Sequence, residues 1–331
     1  MLYPLVFAPI LKERLWGGRN LDSLYGKTLP PKVPVGESWE ISDRPGDASV
    51  IANGPLAGKD LRWLMEHHGA ELMGAAAALD GRFPLLVKIL DAQEILSVQV
   101  HPPAQVAAHL GSEPKTELWY VTQAAPGAQL SAGLKAGVPR LEFERRLRNG
   151  TVAQCIHQVP VQTGDAMFLP SGRVHALGAN MVIFEIQQNS DTTYRVFDWN
   201  RVGPDGQPRE LHVAQALACI DFADFEPGLV KADWRSAAGR ATRQLVGDPL
   251  FTVTEHRVAR PLRLPWPVED RPVVFGVVNG SVGIEHAGSG QNVRLAPGQF
   301  ALLPACARQV ELTAAGETTF LAAEPGSAAA G

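Results

Sequence analysis

GDAMFLPSGRVH, residues 164–175, is the stretch whose reading decides the fold. Gly164 and Asp165 open a turn, Ala166 to Leu169 form a short apolar run, and Pro170, Ser171 and Gly172 make a second turn that delivers one histidine, His175. Gly and Pro are the strongest local punctuation a chain has, so the run reads as a strand held between two turns. A strand ending in such a histidine suits a small β-barrel that aims a metal ligand inward. Two other segments supply partners: SVQVH at 97–101 and KTELWY at 115–120. Alternate residues of a strand share a face, so Gln99 and His101 point together while Val98 and Val100 point away. Gln99, His101, Glu117 and His175 form a candidate divalent-metal set. Two imidazoles, one carboxylate and one amide oxygen suit zinc first, with manganese, cobalt or iron as alternatives. The amide is a weak ligand and leaves the metal Lewis acidic, with open positions for water or substrate oxygens.

The rest of the chain reads mostly as strands. FPLLVKIL (83–90) is continuous and apolar except for Lys88, a charge that needs a partner or a function if it is buried. ILSVQVH (95–101), TELWYVT (116–122) and MVIFEIQQ (181–188) are further strands, and residues 159–178 read as a hairpin-like pair. Residues 60–80, 139–149 and 211–222 read as helices, the first with Leu61, Leu64 and Met65 on one face and the second with Pro139 near its start. From about residue 250 strands return, and GQFALLPACARQ (298–309) echoes the opening segment: Gly298 falls on Gly164, Pro304 on Pro170 and Gln309 on His175. This is a weak internal repeat whose second copy lacks the ligand. Residues 223–245 read as a linker and the Ala/Gly-rich tail from 325 as frayed. Outside the ligand set, His67, His68, His109, His157, His212, His256 and His286 read as surface or core histidines.

Composition bounds the function classes. A net charge of −4 and a pI near 6.1, with no polybasic run, argue against nucleic acid and anionic membrane as partners. Cys155, Cys219 and Cys306 are far apart and in no C-x-x-C spacing, so a reducing, cytoplasmic setting is expected rather than a disulfide framework. The apolar N-terminal stretch MLYPLVFAPILKERLW has no basic n-region and carries prolines, so it reads as a folded β segment rather than a signal peptide.

GDAMFLPSGRVHALGAN matches the second cupin motif, G-x5-P-x-G-x2-H, with its trailing Asn180 one residue late. The first motif is altered: Gln-x-His stands at 99–101 where many cupins have His-x-His, and the glutamate is displaced to 117. SVQVHP, KTELWY, the PSG-x-x-HA segment and EIQQNSDTTYRVFDW (185–199) together resemble type I mannose-6-phosphate isomerases of the shorter bacterial kind, and WGG (16–18) and GESWEIS (36–42) are similar too. The resemblance spans most of residues 5–200; the C-terminal third matches only in general character. HPP at 101–103 departs from the family's usual His-Pro-Asp.

The resemblance implies a mainly β fold of two cupin-like jelly-roll β-barrels with a few short helices. It implies a catalytic metal-binding domain over 1–235 and a degenerate cupin-like domain over 246–325. It makes Gln99, His101, Glu117 and His175 the ligands of one divalent metal per chain, zinc first, and places Ser97, Lys88, Lys115 and Arg195 in the substrate pocket. Each pocket residue has a case of its own. Ser97 lies two before Gln99 and Lys115 two before Glu117, hence on the same strand faces; Lys88 is the misplaced charge, and Arg195 sits in a polar stretch suited to a barrel mouth. Cations around a metal suit a sugar phosphate.

The implied reaction converts mannose 6-phosphate to fructose 6-phosphate through an enediol. Catalytic roles fall to Arg195, Glu185 and Lys115; candidates for the base are Glu185 and a metal-bound water, and Arg195 binds charge, since it stays protonated at neutral pH. Three other readings compete: a non-enzymatic, sugar-sensing metal cupin, a metal-dependent cupin oxygenase, and an isomerase for another aldose. Lys88, Lys115 and Arg195 together disfavour the first two; nothing in the sequence separates the third. A monomer or homodimer fits equally.

Overall fold

The computed structural model describes residues 1–202, 206–267 and 269–327. Four large antiparallel sheets carry the chain, beside a two-stranded one that pairs Asp43–Arg44 with Asp47–Ala48. Sheet I has the spatial order Ile10–Gly18, Val35–Ile41, Leu85–Ala92, Met181–Gln188, Glu117–Ala124, Ala166–Leu169. Sheet II runs Tyr194–Phe197, Val98–Val100, His175–Ala176, Gln129–Leu134, Ile156–Pro160. Sheet III runs Arg235–Ala237, Arg240–Gly247, Phe251–Val258, Thr318–Pro325, Val273–Asn279, Phe300–Leu303. Sheet IV runs Leu262–Trp266, Val310–Ala314, Val282–His286, Asn292–Leu295.

The apolar clusters show how the sheets stack. Sheets I and II pack face to face through Trp119, Met167 and Ile183 from one and Leu130, Ala132 and Val159 from the other. Sheets III and IV do the same through Phe275, Ala301 and Phe320 against Trp266, Ile284 and Leu312. A third cluster joins the two sandwiches: Val87, Ile89, Leu118 and Phe184 on the back of sheet I meet Phe251, Val253, Phe300 and Leu302 on the back of sheet III. Leu2, Tyr3, Leu5 and Phe7 are buried in that layer, and Leu5 bridges Leu302, which is why the N-terminal stretch is apolar. Sheet I is thus covered on both faces, and a strand covered on both faces reads as a continuous apolar run; this accounts for FPLLVKIL. The outer face of sheet II is closed by short helices through Phe143, Ala216 and Cys219.

The helices fall at Leu61–Met73, Arg140–Arg148 and Val213–Cys219, inside the expected ranges, with further ones at Asn20–Tyr25 and Ala104–Leu110. Asp60 caps the first of the expected helices by accepting from the Trp63 amide. Gly74 ends it at φ +54, where a Cβ would lie 2.3 Å from the Asp270 carbonyl oxygen. None of these helices is long and apolar enough to cross a membrane.

Three expectations change. Residues 159–178 are not a hairpin: Ile156–Pro160 and His175–Ala176 belong to sheet II, whereas Ala166–Leu169 pairs with Glu117–Ala124 in sheet I. The turn at Pro170–Gly172, with Gly172 at φ +93, carries the chain from one sheet to the other. The expected linker at 223–245 contains strands at Arg235–Ala237 and Arg240–Gly247. Of the tail from 325, Pro325 ends a strand and Ser327 bridges Ala76, while 328–331 lie outside the described residues.

Candidate metal centre

The site lies between sheets I and II. In sheet II, Gln99 pairs with His175 on one side and Arg195 on the other. In sheet I, Glu117 opens its strand, paired with Leu169 and Gln187. The turn that delivers His175 is tied to the first motif, because the Gly172 amide donates to the His101 carbonyl at 2.8 Å. One backbone bond therefore fixes the spacing of two ligands from segments seventy residues apart in sequence.

His101, Glu117 and His175 converge, with ligand atoms within 4.8 Å of one another, and all three are at most 1% exposed. His175 Nε2 lies 3.3 Å from Glu117 Oε1 and His101 Nε2 lies 3.5 Å from Oε2. Each imidazole uses Nδ1 on a backbone carbonyl, His101 on Thr192 at 2.8 Å and His175 on Arg173 at 2.9 Å. That assigns the proton to Nδ1 and turns the Nε2 lone pair toward Glu117, the arrangement a metal-binding histidine needs. Gln99 is half-buried, with its amide 3.3 Å from His175 Nε2, so it reaches the same point.

Burial and charge agree with this reading. Burial pushes the His175 imidazole down to about 3, against the pull of Glu117, and lowers His101 as well, so both rings are neutral at ordinary pH. For Glu117 burial acts upward, but Lys115 and then His101 outweigh it and hold the carboxyl well below the usual range. His101 Nε2 and both Glu117 carboxylate oxygens are buried without a hydrogen-bond partner. Buried polar atoms are ordinarily satisfied, and lone-pair donors that face one point, with only the Lys115 ammonium beside one of them, fit a divalent cation.

The remaining candidates sit around this group. Lys115 Nζ lies 3.0 Å from Glu117 Oε2; burial lowers its pKa, but Glu117 and Glu185 outweigh that and raise it. Lys88 Nζ lies 3.1 Å from Glu185 Oε1, its cross-strand neighbour, and 5.0 Å from the Trp39 ring. Both lysines are members of buried ion pairs, Lys88 with Glu185 and Lys115 with Glu117. Arg195 Nε donates to Ser97 Oγ at 3.3 Å and Nη1 to the Glu210 carbonyl at 2.9 Å.

Sequence reasoning missed several residues. Trp119, two after Glu117 and on the same strand face, donates its indole N–H to Glu185 Oε2 at 2.9 Å and meets the His175 ring edge-on. Strand alternation from Glu117 was the signal that could have found it. Glu37 accepts from Trp39 and Arg14 and is held below its ordinary pKa: burial raises it, but Lys88 and then Arg14 outweigh burial. A cavity of about 600 Å³ is lined by Arg14, Trp16, Glu94, Asp198, Arg201 and Arg209. Arg201 donates to the Ile95 carbonyl and Trp199 to that of Leu96, which pins this loop beside Ser97. No periodic signal marked Arg201 or Arg209, because they come from an irregular loop.

Comparison with known proteins places this geometry. The family profile "Phosphomannose isomerase type I, catalytic domain" matches residues 5–118, which include Ser97, Gln99, His101, Lys115 and Glu117 but end before His175. The chain is 37% identical over 265 residues to "Mannose-6-phosphate isomerase" of Streptococcus mutans, covering 80% of this chain and 82% of that one. It is 40% identical over 229 residues to "Probable mannose-6-phosphate isomerase GmuF" of Bacillus subtilis, covering 68% and 71%. Its structure is similar to the crystal structure of the mannose 6-phosphate isomerase from Bacillus subtilis, with a TM-score of 0.87 and 31% identity over 97% of this chain and 99% of that one.

Proposed function

This chain belongs to the type I phosphomannose isomerase family, and from that footing we propose that it interconverts mannose 6-phosphate and fructose 6-phosphate with a divalent metal, zinc first, held by Gln99, His101, Glu117 and His175. The observation that carries the reading is the buried His101–Glu117–His175 group, whose Nε2 and carboxylate atoms converge on one point, with His101 Nε2 and both Glu117 oxygens lacking a hydrogen bond. When bound, the metal supplies Lewis-acid stabilisation of the oxyanion character that develops on the two sugar oxygens.

Isomerisation removes a proton from C2 and returns one to C1. Glu185 is suited to this transfer. It projects from sheet I on the same face as Trp119, whose N–H fixes one oxygen, while Lys88 faces the other. A base fixed in this way keeps its lone pair aimed along one line, which is what general-base transfer demands. Lys115 faces Glu117 and counters the negative charge of the ligand set. Arg195, with Ser97, lies next to Gln99 in sheet II and is placed to hold sugar or phosphate oxygens through charge-assisted bonds. The 600 Å³ cavity with Arg14, Arg201 and Arg209 gives the phosphate a basic approach, although Asp198 already pairs with both Arg201 and Arg209. Residues 1–235 carry the chemistry in this reading and 246–325 serve as support, in a cytoplasmic enzyme.

The test is a coupled assay with mannose 6-phosphate before and after chelation, followed by zinc restoration. Activity that disappears with the metal and returns with zinc is expected. No turnover from metal-loaded protein sinks the reading.

A further inference from the structure

The second sandwich has an end of its own that is not closed. Sheet III places Arg240, Val258 and Thr318 in one cross-strand row and Thr242, His256 and Phe320 in the next row inward. Residues opposite one another in antiparallel strands share a face, so each row lines the interior. A cavity of about 680 Å³ opens onto the first row, lined by Gly239, Arg240, Arg257, Val258, Glu317 and Thr318 among others.

Two buried polar groups there are left without partners. Arg240 Nη1 is buried with no hydrogen bond, and no carboxylate lies within ion-pair distance of this guanidinium among the described residues; burial alone shifts its pKa, downward. The guanidinium rests 5.1 Å over the Trp266 ring from the facing sheet. His256, 5% exposed, stacks on Phe320 at 4.7 Å and tilts against Trp266 at 5.3 Å, and its Nδ1 is buried with no partner. Several other arginines of this sandwich are answered: Arg243 and Arg257 pair with Glu255, Arg263 with Glu285 and Glu311, Arg271 with Glu324. An unanswered, half-buried guanidinium beside an unanswered imidazole is costly unless something completes it. The complement of a forked N–H donor is a planar or tetrahedral oxyanion.

We propose that this open end of the second sandwich binds a small organic oxyanion, a carboxylate or a phosphate ester, received by Arg240 with His256 behind it and the rest of the molecule lying in the cavity. The site is built from sheet III and Trp266 and shares no residue with the metal centre. The cavity is open to solvent and leaves room beside Arg240 for the body of a small molecule whose end group is the anion.

The test titrates the metal-loaded full-length protein with inorganic phosphate and, separately, with malonate at constant ionic strength. The readout is the His256 imidazole resonance, assigned by its disappearance in His256→Phe. A saturable shift is expected in at least one arm, and the arm with the lower midpoint names the oxyanion. Arg240→Gln should raise that midpoint at least tenfold, and Arg195→Gln should leave it at the wild-type value. If Arg240→Gln does not fold, Arg240→Lys carries the test, since loss of the fork must raise the midpoint at least threefold. A linear drift in both arms, an unchanged midpoint in the Arg240 variant, or a response that Arg195→Gln abolishes overturns the proposal.

Discussion

The two sandwiches have the same frame with different rows of side chains in it. In the first, Leu169 pairs with Glu117, and Lys88, Glu185 and Trp119 form one row across three strands. In the second, Leu303 pairs with Val273, and Thr254, Ala322 and Phe275 form the corresponding row. Val273 thus stands where Glu117 stands, and the Lys88–Glu185 ion pair is replaced by Thr254 and Ala322. Gln309, at the place of His175, is exposed with φ at +56. The apolar version folds on the same register, so the frame does not need the polar row. Buried ion pairs commonly stabilise less than well-packed apolar residues of similar volume, and a row kept in spite of that is kept for chemistry. The sharpest way to break the comparison is His175→Ala beside Gln309→Ala. The first should lower isomerase activity by on the order of 10²–10³-fold or more and reduce metal content in the purified protein. The second should leave both at wild-type values; an equal loss from the two would dissolve the distinction.

The buried pair gives the next largest effect. Lys88→Met leaves the buried Glu185 carboxylate without its ion-pair partner, held only by the Trp119 N–H, at a cost of about 3–5 kcal/mol in unfolding free energy. Lys88→Met with Glu185→Gln removes both charges and should recover most of that stability while activity stays lost. Thr254→Val, at the matching and only partly buried position in the second sandwich, should change stability by less than about 1 kcal/mol, because it breaks no buried ion pair. Chemical denaturation of the four proteins separates a stabilising role for Lys88 from a functional one.

Much of the first sandwich was legible because its ligands lie on short strands bounded by Gly and Pro, where alternation alone puts Gln99 and His101 on one face. His175 was legible from the turn that carries it. What failed was pairing. Residues 159–178 look like a hairpin because Val159 and Phe168 lie on apolar runs separated by Gly164, but nothing local says that Pro170–Gly172 crosses between sheets. Lys88 was legible as a charge in need of a partner or a function, but the partner itself, Glu185, is 97 residues away and meets it only through strand register. The start of sheet III was read as linker because Arg235–Ala237 is exposed along its whole length and carries no apolar pattern. His256 was set aside with the other surface or core histidines, and nothing in one sequence reveals that its Nδ1 is unanswered.

The two sandwiches are also joined, and the joint predicts how they fail. Leu302 is fully buried in the layer between sheets I and III and bridges Leu5. Leu302→Ala should cost about 2–5 kcal/mol, the range for a large-to-small change at a well-packed site. Because that layer includes Val87, Ile89 and Leu118, whose strand neighbours Lys88 and Glu117 belong to the metal site, the loss should reach the first sandwich too. Activity and the near-ultraviolet signal should melt at one lowered temperature. Two separate transitions would show that the sandwiches fold independently.

Acid offers the smallest and most selective contrast. His175 and His256 are each pushed from about 6.5 down to about 3 by burial, one in each sandwich. A depressed imidazole binds no proton in the folded chain through this window, whereas the unfolded chain takes one up below about 6.5. Stability is therefore complete above 6.5 and falls as pH drops toward 3, at up to about 1.4 kcal/mol per pH unit for each such group. Metal changes only one of the two. With the centre loaded, His175 is occupied and the metal must leave before a proton can enter, so the two declines part company only as pH approaches 3, where the chelated ring takes up its proton in the folded chain. His256 has no such protection. Denaturation of chelated and metal-loaded protein between pH 7 and pH 5 should give parallel declines, the loaded curve offset upward, because the folded His175 ring is unprotonated in both and only the unfolded chain takes up protons. His256→Phe should flatten both curves by the same single-histidine share. If the His256 variant flattens only the chelated curve, the two sandwiches are coupled through the metal rather than titrating side by side.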